Sequence, residues 1–489
     1  MLRELFSDNA TLTWTLIAVD WTIRLLLGAR IILRRSSVGF TLAWLAVVLL
    51  LPVLGAVIYL LLGERRLGTR RARRIAELRA PYGRWLEQLA ADFPVNHTPG
   101  GPAGLIRRQA RGAVGMPVLP GNTLELIADA NRFLDRLLAD IQGAASSVHL
   151  EFYIWQPGGR VDDVCDALVS AQKRGVKCRI LVDDVGGSPL LGSEQHQRLT
   201  DAGVHVVPML EVGVVRTMFA RLDLRNHRKI AVIDGAIGYT GSQNMADPQL
   251  FKQSEGVGEW IDAMVRVTGP AVEALQVTLL ADWEFETHEG VERKPEQYDV
   301  KRLSPTGDAL VQVIPSGPGL SLLAIQEIIL AAMYAAESEL VLTSPYFIPD
   351  EALIKALLSA AARGVDVTLM VPRYPDSRIV KWAGESYFEE LMEGGVKVHR
   401  YEGGMLHTKA IVIDRQIAMF GSVNLDMRSF YLNYEISLVV YDKDFACKLR
   451  DLQQQYLKSS QQLDLERWMA RPALLRFAQQ TAQLLSPLL

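Results

Sequence analysis

The feature that most constrains this chain is an internal repeat in its body. Ala167–Val182 (ALVSAQKRGVKCRILV) is echoed by Ala356–Val371 (ALLSAAARGVDVTLMV), and each segment reads as a helix, a tight corner and a buried strand. A second match, between His227–Asn244 and His407–Asn424, follows in the same order. Helices that alternate with strands in both copies predict α/β layers around a mixed sheet. We therefore expect an α/β body built from two copies of one unit.

The repeat and the composition around it divide the chain into five segments. They are, in chain order, an N-terminal anchor at 1–75, a linker at 76–121, a first copy at 122–285, a polar connector at 286–307 and a second copy at 308–489. From Arg471 onward, apolar and polar residues alternate at helical spacing. This C-terminal helix either packs on the body or lies on a membrane, and packing is the default.

Two apolar segments in the N-terminal region predict a transmembrane helical hairpin, at about 10–28 and 38–62. Val38–Leu62 has no charged residue and is long enough to span a bilayer, where a proline such as Pro52 is tolerated. The first segment contains Asp20 and Arg24, which lie four residues apart and can pair on one helix face. An interfacial or re-entrant helix is the alternative for that segment.

Charge is unevenly distributed along the chain. Residues 1–80 carry a net charge of +7, whereas the remainder carries −10. Seven arginines lie in the N-terminal tail and in a basic neck at 65–74, against three in the loop between the apolar segments. By the positive-inside rule, this distribution favours a multi-pass membrane protein with its body in the cytoplasm. The acidic body argues against a nucleic-acid partner, because proteins that follow phosphate backbones need a basic surface.

The strongest chemical signal is the pattern His-x-Lys-x4-Asp, which occurs at matching points of the two copies and is followed each time by Gly-Ser-x-Asn. A non-catalytic scaffold has no need for these duplicated side chains. Histidine and lysine two residues apart on a strand project from the same face. The candidate catalytic residues are His227, Lys229, Asp234, His407, Lys409 and Asp414.

A tight hairpin is expected after each motif. A two-residue turn at Asp234-Gly235 would place His227 opposite Ser242, and a turn at Asp414-Arg415 would give the second copy the same register. This register gathers His, Lys, Ser and Asn at the open end of each hairpin, and it leaves the motif aspartates at the far end in a structural role. The side chains that it offers for binding a substrate phosphate are Ser242, Asn244, Ser422 and Asn424.

Each histidine also needs a carboxylate on its other ring nitrogen to fix its orientation. Asp262 (EWIDAMVRV) and Glu435 (NYEISLVVY) lie at corresponding places in downstream strands. Glu259 is the alternative to Asp262, and the match between the strands favours Asp262. Lysine and amide groups donate hydrogen bonds, so two copies that face each other can cradle a phosphodiester. No cluster of side chains has the spacing of metal ligands, and we expect neither a metal nor another cofactor.

The doubled motif resembles the HKD motif of the phospholipase D superfamily. The resemblance implies two tandem phospholipase D-like α/β repeats in a pseudo-twofold bilobal body, which act without metal through a phosphohistidine intermediate. It also implies that His227 is the nucleophile and His407 the general acid, although the two copies are symmetric on this point in the sequence alone. The residues that would hold the phosphate are Lys229, Lys409, Asn244 and Asn424.

Within that superfamily, the chain is similar to bacterial cardiolipin synthases over nearly its whole length. The similarity includes RNHRK (225–229), VQVIPSGP (311–318) and TSPYFIP (343–349). It implies transfer of a phosphatidyl group from one phosphatidylglycerol to another, with phosphatidylglycerol, other anionic phospholipids and the bacterial membrane as partners. The alternatives are a phospholipase D-type hydrolase and a phosphatidyltransferase with another donor or acceptor, such as phosphatidylethanolamine. A nuclease of the superfamily is less favoured.

Overall fold

The computed structural model describes most of the chain in two units. One unit lies within Met1–Ala72, and the other lies within Arg73–Glu211 and Leu224–Leu489. The described residues are 2–34, 38–63, 69–94, 100–211, 224–252, 256–290, 298–320 and 323–486.

The N-terminal unit is helical. Asp20 and Arg24 form the predicted ion pair, with 2.6 Å between Arg24 Nη2 and Asp20 Oδ2. Ile31, Trp44 and Tyr59 pack together in a small apolar core. The elements of this unit are α1 (Leu2–Leu33), α2 (Val38–Leu50), α3 (Leu54–Ile58) and a π-helical turn at Tyr59–Gly63.

The second apolar segment is not the continuous helix that was predicted over 38–62. The helix ends at Leu50, and Val53 adopts a φ of 56° before α3 begins. The prediction is wrong because Pro52 has no N–H to donate and its ring clashes with the preceding turn. Among the residues that the structure describes, no helix combines the length and the apolar character needed to cross a membrane. Residues 65–68 of the expected basic neck lie outside the described residues.

The body is built, across its described residues, on one mixed sheet of fifteen strands. The strands of the first half are β1 (Val118–Ile127), β2 (Ser147–Phe152), β3 (Lys177–Asp183), β4 (His205–Met209), β5 (Lys229–Ile233), β6 (Ile237–Gly241) and β8 (Met264–Thr268). Those of the second half are β9 (Ala309–Ser316), β10 (Glu339–Thr343), β12 (Asp366–Pro372), β13 (Lys397–Tyr401), β15 (Ala410–Ile413), β16 (Ile417–Gly421), β18 (Glu435–Val440) and β19 (Ser460–Gln462). Short strands outside this sheet are β7 (Trp260–Ile261), β11 (Phe347–Ile348), β14 (Met405–Leu406) and β17 (Leu425–Asp426).

The strand order shows that the halves are copies. Outward from the centre, the first half runs β1-β8-β6-β5-β2-β3-β4, and the second runs β9-β18-β16-β15-β10-β12-β13 in the equivalent order. β1 and β9 pair antiparallel at the centre, which joins the two halves into one sheet. This arrangement is the expected pseudo-twofold α/β body of two tandem repeats.

Helices cover the sheet in both halves. Two of them occupy the segment expected as a linker at 76–121, where Pro102 at the start of a helix supplies the φ that a first turn needs. The helices of the first half are α4 (Thr69–Asp92), α5 (Gly101–Val114), α6 (Ala130–Gly143), α7 (Arg160–Lys173), α8 (Ser188–Leu191), α9 (Glu194–Asp201) and α10 (Ala271–Thr287). Those of the second half are α11 (Ala324–Ala335), α12 (Glu351–Ala362), α13 (Arg378–Glu385), α14 (Phe388–Glu393), α15 (Met427–Tyr431), α16 (Lys443–Lys458), α17 (Leu465–Met469) and α18 (Ala473–Gln483).

Each half has its own apolar core at equivalent positions of the repeat. Leu150 on β2 and Leu168 on α7 are buried in the first half, and Leu342 on β10 and Leu357 on α12 are buried in the second. Full burial of such a side chain contributes roughly 1.5–3 kcal/mol. The repeated apolar pattern therefore fixes the same strand and helix arrangement beneath both motifs.

The hairpin after each motif is one residue longer than predicted. Ile233 pairs with Ile237, so the loop comprises residues 234–236, and the second copy shows the same shift. The predicted register, with His227 opposite Ser242, is therefore wrong. The turn itself forms, since Asp234 and Gly235 both have positive φ and the N–H of Ala236 donates to the carbonyl of Ile233 at 2.9 Å, but Ala236 follows as an extra residue before the ladder begins at Ile237 and shifts the register by one.

Both motif aspartates bind backbone N–H groups at the start of an adjacent strand. The Asp234 carboxylate accepts hydrogen bonds from the N–H groups of residues 145–147 at 2.8–2.9 Å. The Asp414 carboxylate accepts hydrogen bonds from those of residues 337–339 at 2.7–3.0 Å. These contacts support the structural role inferred from the hairpin, in which each aspartate ties its loop to the sheet.

Replacing Asp414 should therefore lower the stability of the second half. Asp414→Ala removes the acceptor for three backbone N–H groups and for the Ser338 hydroxyl. Because water reaches part of this loop, we expect a loss of about 1–3 kcal/mol in the free energy of unfolding, measured by thermal unfolding in detergent. The matched control is Asp366→Ala, which breaks a half-exposed ion pair with Lys397 and should cost under about 1 kcal/mol. Equal stability of the two variants would contradict this role.

Candidate active site

The segments that carry the two histidines pair with strands of the opposite half. The N–H of His227 donates to the carbonyl of Tyr434 at 2.8 Å, and the N–H of Tyr434 donates to the carbonyl of Arg225 at 2.9 Å. At the equivalent place, the N–H of His407 donates to the carbonyl of Ile261 at 2.9 Å, next to the parallel pair formed by β7 and β14. Backbone hydrogen bonds therefore join the two halves at the start of each motif.

Each histidine is also hydrogen-bonded to a carboxylate of the opposite half. Nδ1 of His227 lies 2.8 Å from Oε2 of Glu435, and Nδ1 of His407 lies 2.6 Å from Oδ1 of Asp262. All four side chains are buried. The crossed pairing follows from the backbone, because each carboxylate comes one residue after the carbonyl that accepts the histidine N–H. Glu259 was the alternative to Asp262. Its backbone carbonyl accepts a hydrogen bond from the N–H of Met405 in the second half.

The hydroxyls of the two predicted serines hold these carboxylates. Oγ of Ser242 donates to Oδ1 of Asp262 at 2.5 Å, and Oγ of Ser422 donates to Oε2 of Glu435 at 2.5 Å. A hydroxyl has one proton to donate. The structure therefore directs these two hydroxyls to the carboxylates, where the sequence had suggested contacts with the substrate phosphate.

Glu435 has further donors that the sequence did not reveal. Oγ of Ser429 donates to Oε1 of Glu435 at 2.8 Å, and Nδ2 of Asn433 donates to the same oxygen at 3.2 Å. Asn433 precedes Glu435 by two residues, a spacing that could have indicated a shared face. Ser429 lies on α15, and its sequence position carries no such signal. The carboxylate that orients His227 is thus held by four side chains.

The two lysines occupy equivalent positions. Nζ of Lys229 donates to the carbonyl of His227 at 2.7 Å, and Nζ of Lys409 donates to the carbonyl of His407 at 2.6 Å. Burial lowers the pKa of Lys229 to about 8, against the attraction of Glu435. Burial lowers the pKa of Lys409 to about 7, despite the attraction of Asp262. Two buried ammonium groups in one site are ready to gain stability from an anionic ligand.

The histidines are neutral at pH 7 in this state. Burial lowers the pKa of His227 and of His407 to about 4, although the carboxylates act to raise it. Burial also acts to raise the pKa values of Glu435 and Asp262, but attraction to the histidines and their hydrogen bonds lower them, so both stay ionised. Each ring then donates its Nδ1–H to a carboxylate and leaves Nε2 as an acceptor or nucleophile.

The two asparagines that follow the motifs are buried. Oδ1 of Asn244 accepts the N–H of Ile154 at 3.2 Å, so the remaining capacity of this amide is to donate. Oδ1 of Asn424 is buried and has no hydrogen-bond partner among the described residues. Amide donors beside two lysines suit the oxygens of an anionic phosphate. Their phosphate-binding role stays a prediction.

Comparison with known proteins identifies the family. Residues 137–267 and 329–457 each match the family described as "Cardiolipin synthase, PLD-like domain", and residues 25–64 match a phospholipase D-nuclease N-terminal family. Cardiolipin synthase A of Yersinia pseudotuberculosis and that of Yersinia pestis are each 39% identical over 482 residues, which covers 98% of this chain and 99% of theirs.

The chain belongs to the cardiolipin synthase family. It is an enzyme of the phosphatidyltransferase class, built from two phospholipase D-like domains. A crystal structure of phosphatidylserine synthase from Haemophilus influenzae Rd KW20 has the same fold, with a TM-score of 0.60, 15% sequence identity and coverage of 79% of this chain and 100% of that one.

The two halves of this cardiolipin synthase family member differ behind the motifs. Arg228, between the first motif histidine and lysine, is buried, pairs with Asp282 and donates from Nε to the carbonyl of Glu435 at 3.0 Å. The second half has Thr408 at this position. Arg228 therefore attaches the strand of His227 to the backbone of its carboxylate partner. The motif segment RNHRK contains this arginine, but its partner on α10 has no recognisable spacing in the sequence.

Aromatic rings cover the outer faces of the histidines. The ring centroids of Tyr153 and His227 are 5.1 Å apart, and those of Trp260 and His407 are 4.6 Å apart. Nζ of Lys229 lies 5.6 Å from the centre of the Tyr153 ring. Each imidazole therefore packs against an aromatic ring of its surroundings.

The lowered lysine pKa values predict an alkaline limb in the pH dependence of kcat/KM, well below the ordinary range for lysine. Lys409, with a pKa of about 7, and Lys229, with a pKa of about 8, bind phosphate as cations only while protonated. Activity should therefore fall as the pH rises through this window. An acid limb should lie near the His227 pKa of about 4, because protonation of this ring removes the nucleophile.

Initial rates in mixed micelles between about pH 4 and pH 10 measure this profile. In Lys409→Arg, whose guanidinium stays protonated throughout, the alkaline limb should move to higher pH. A kcat/KM of the unmodified enzyme that stays level to about pH 9 would contradict the assignment.

Proposed function

We propose that this enzyme makes cardiolipin by transferring a phosphatidyl group from one phosphatidylglycerol to a second, with release of glycerol. The observation that carries the proposal is one buried centre to which each half contributes a histidine, a lysine and the carboxylate of the other half's histidine. The full-length similarity to cardiolipin synthase A of Yersinia species supports the choice of reaction.

In the first step, Nε2 of His227 attacks the phosphorus of phosphatidylglycerol. The bond from phosphorus to the glycerol oxygen breaks, and the His407 imidazolium gives this oxygen a proton. His407 is neutral in the structure without substrate, and the negative charge of the bound phosphodiester favours its protonated form. Glu435 stabilises the positive charge that develops on the His227 ring.

In the second step, a hydroxyl of another phosphatidylglycerol attacks the phosphorus. His407, now neutral, accepts the hydroxyl proton, and the bond between phosphorus and Nε2 of His227 breaks. The products are cardiolipin and enzyme with His407 protonated, and His407 loses this proton again when the anionic product leaves. One phosphodiester replaces another, so the exchange is close to thermoneutral and needs no nucleotide.

The support around Glu435 favours His227 as the nucleophile. An imidazole that carries phosphorus on Nε2 becomes cationic, and a fixed carboxylate on Nδ1 stabilises that charge. Glu435 accepts hydrogen bonds from Ser422, Ser429 and Asn433 as well as from His227, and Arg228 binds its carbonyl.

The proposal includes a bacterial inner membrane location with the body in the cytoplasm. Helix α1 supports it, because this helix exposes large apolar side chains, including those of Trp14, Leu16 and Leu26. The net charge of +7 over residues 1–80 suits the cytoplasmic side of an anionic membrane.

Mass spectrometry of the products formed by the purified enzyme from labelled phosphatidylglycerol tests the proposal. We expect cardiolipin and glycerol in equal amounts, because the resolving alcohol is a lipid. Arg415→Ala, a change in the exposed loop at the far end of the hairpin, serves as the active control. Phosphatidic acid as the main product would show a hydrolase, and cardiolipin formed only after addition of phosphatidylethanolamine would show a different donor pair.

The two histidines should differ in covalent trapping. We expect His227→Ala and His407→Ala to reduce transfer by at least about 10³-fold each, since both act in the same proton and phosphoryl transfers. After quenching in alkaline detergent, which preserves a phosphorus–nitrogen bond that acid would cleave, label carried on the phosphatidyl group should remain bound to the His407→Ala protein and be absent from His227→Ala. Adduct on His227→Ala alone would reverse the roles, and adduct on both variants would exclude a single nucleophile.

A further inference from the structure

Helix α18 exposes large apolar side chains and buries a polar one, which is the opposite of the usual surface helix. Its outward side exposes Leu474 and Phe477, which are 80% and 70% exposed, and Leu484 follows just after the helix at 76%. Its inward side buries Gln479, whose Nε2 donates to Oε2 of Glu385 at 2.7 Å. A surface helix normally buries its large apolar residues. The exposed apolar side of α18 therefore requires a partner other than water.

Helix α13 extends the same apolar surface. Ala383 and Val380 on α13 pack with Ala482 of α18, while Ile379 and Trp382 of α13 are exposed. We call this combination the α13–α18 surface. Its exposed apolar members are Tyr374, Ile379, Trp382, Leu474, Phe477, Leu484 and Leu485.

The α13–α18 surface is connected to the active site. Asp376, two residues before α13, accepts hydrogen bonds from the Tyr346 hydroxyl at 2.8 Å and from Nζ of Lys252 at 2.9 Å. Tyr346 packs in the cluster that contains Trp260, and the Trp260 ring lies 4.6 Å from that of His407. The apolar surface thus begins at the wall of the catalytic centre.

Seven of the thirteen exposed large apolar side chains among the described residues of the body belong to the α13–α18 surface. In addition to the α13–α18 surface, Val185 and Leu250 are exposed on loops next to the site. Val185 follows the end of β3, and Leu250 comes two residues before Lys252 in the chain. Among the described residues of the body, the other exposed large apolar side chains are Leu105, Leu320, Tyr334 and Met469.

Basic side chains flank the apolar residues. Arg476 is the charged residue of α18; it is partly exposed and pairs with Glu389 of α14 at 3.3 Å. Helix α13 carries Arg378 and Lys381 against the buried Glu385. Apolar side chains bordered by arginine and lysine match the interface of an anionic bilayer.

We propose that the α13–α18 surface docks the catalytic body on an anionic phospholipid bilayer, with Phe477 and its apolar neighbours inserted among the headgroups. A second copy of this chain is the alternative occupant, and the labelling experiment below distinguishes it from a bilayer. The inference rests on the proposed function in one respect, because a site that acts on phospholipids must be accessible from the bilayer.

Spin labelling of the full chain in phosphatidylglycerol–phosphatidylcholine vesicles tests the docking. Cys165 and Cys178 are buried, so Cys447→Ser provides a background without a partly exposed cysteine. A nitroxide is then attached at Phe477→Cys, and, as the matched control on another part of the body, at Leu105→Cys. We expect the label at 477 to collide readily with oxygen and rarely with a water-soluble nickel complex, and the label at 105 to do the reverse.

Two outcomes would overturn the proposal. Equal, water-like collision rates at both positions would show that the surface stays in solvent. Protection of position 477 from both oxygen and nickel would show a protein contact such as a second copy. The measurement needs no catalysis, so an enzyme that makes no cardiolipin but inserts position 477 would refute the proposed function and leave the docking surface standing.

Kinetics in mixed micelles give a second test. Leu474→Ser/Phe477→Ser should raise the KM for the surface fraction of phosphatidylglycerol several-fold and leave kcat unchanged, because the substitutions weaken docking and do not touch the site. Leu105→Ser/Tyr334→Ser is the control and should change neither. Thermal unfolding verifies that both variants fold. An unchanged KM in the folded Leu474→Ser/Phe477→Ser variant would overturn the proposal.

Discussion

The two histidine–carboxylate hydrogen bonds that cross between the halves are the interactions on which this site depends. His227 binds Glu435 and His407 binds Asp262, and all four groups are buried. A buried carboxylate without a partner costs several kcal/mol. Each half therefore supplies the partner that the other half needs, and neither half alone has an oriented imidazole. The central pairing of β1 with β9 fixes the geometry in which both bonds form.

The crossed bonds also explain why a nearly symmetric body can perform asymmetric chemistry. Both histidines have a pKa lowered to about 4 by burial, so the empty site does not itself distinguish an acid from a nucleophile. The surroundings do differ. Arg228 binds the backbone of Glu435, and the second half has Thr408 where the first has this arginine. The differences behind the motifs, and not the motifs themselves, thus set the two histidines apart.

Much of this arrangement was predictable from the sequence, because repeated residues report repeated structure. The two α/β copies, the paired His and Lys side chains and the family follow from the repeat and its motifs, and the comparisons confirm the family. The strand register was not predictable, because one extra residue, Ala236 or its equivalent Gln416, follows each turn before the strands pair, and no local pattern marks it. Each carboxylate binds the histidine of the opposite half. Local sequence patterns do not report such contacts between segments that are far apart in the chain. The break at Pro52 shows that an apolar run does not by itself give one helix.

The most direct test of the central claim is an experimental structure of the enzyme with tungstate, a tetrahedral oxyanion that mimics the substrate phosphate. If the halves form one centre, a single tungstate will lie between the rings, with Nε2 of His227 and Nε2 of His407 both in contact with it and both lysines on its oxygens. Two tungstate ions, each held by one histidine too far from the other to share a phosphorus atom, would contradict the account.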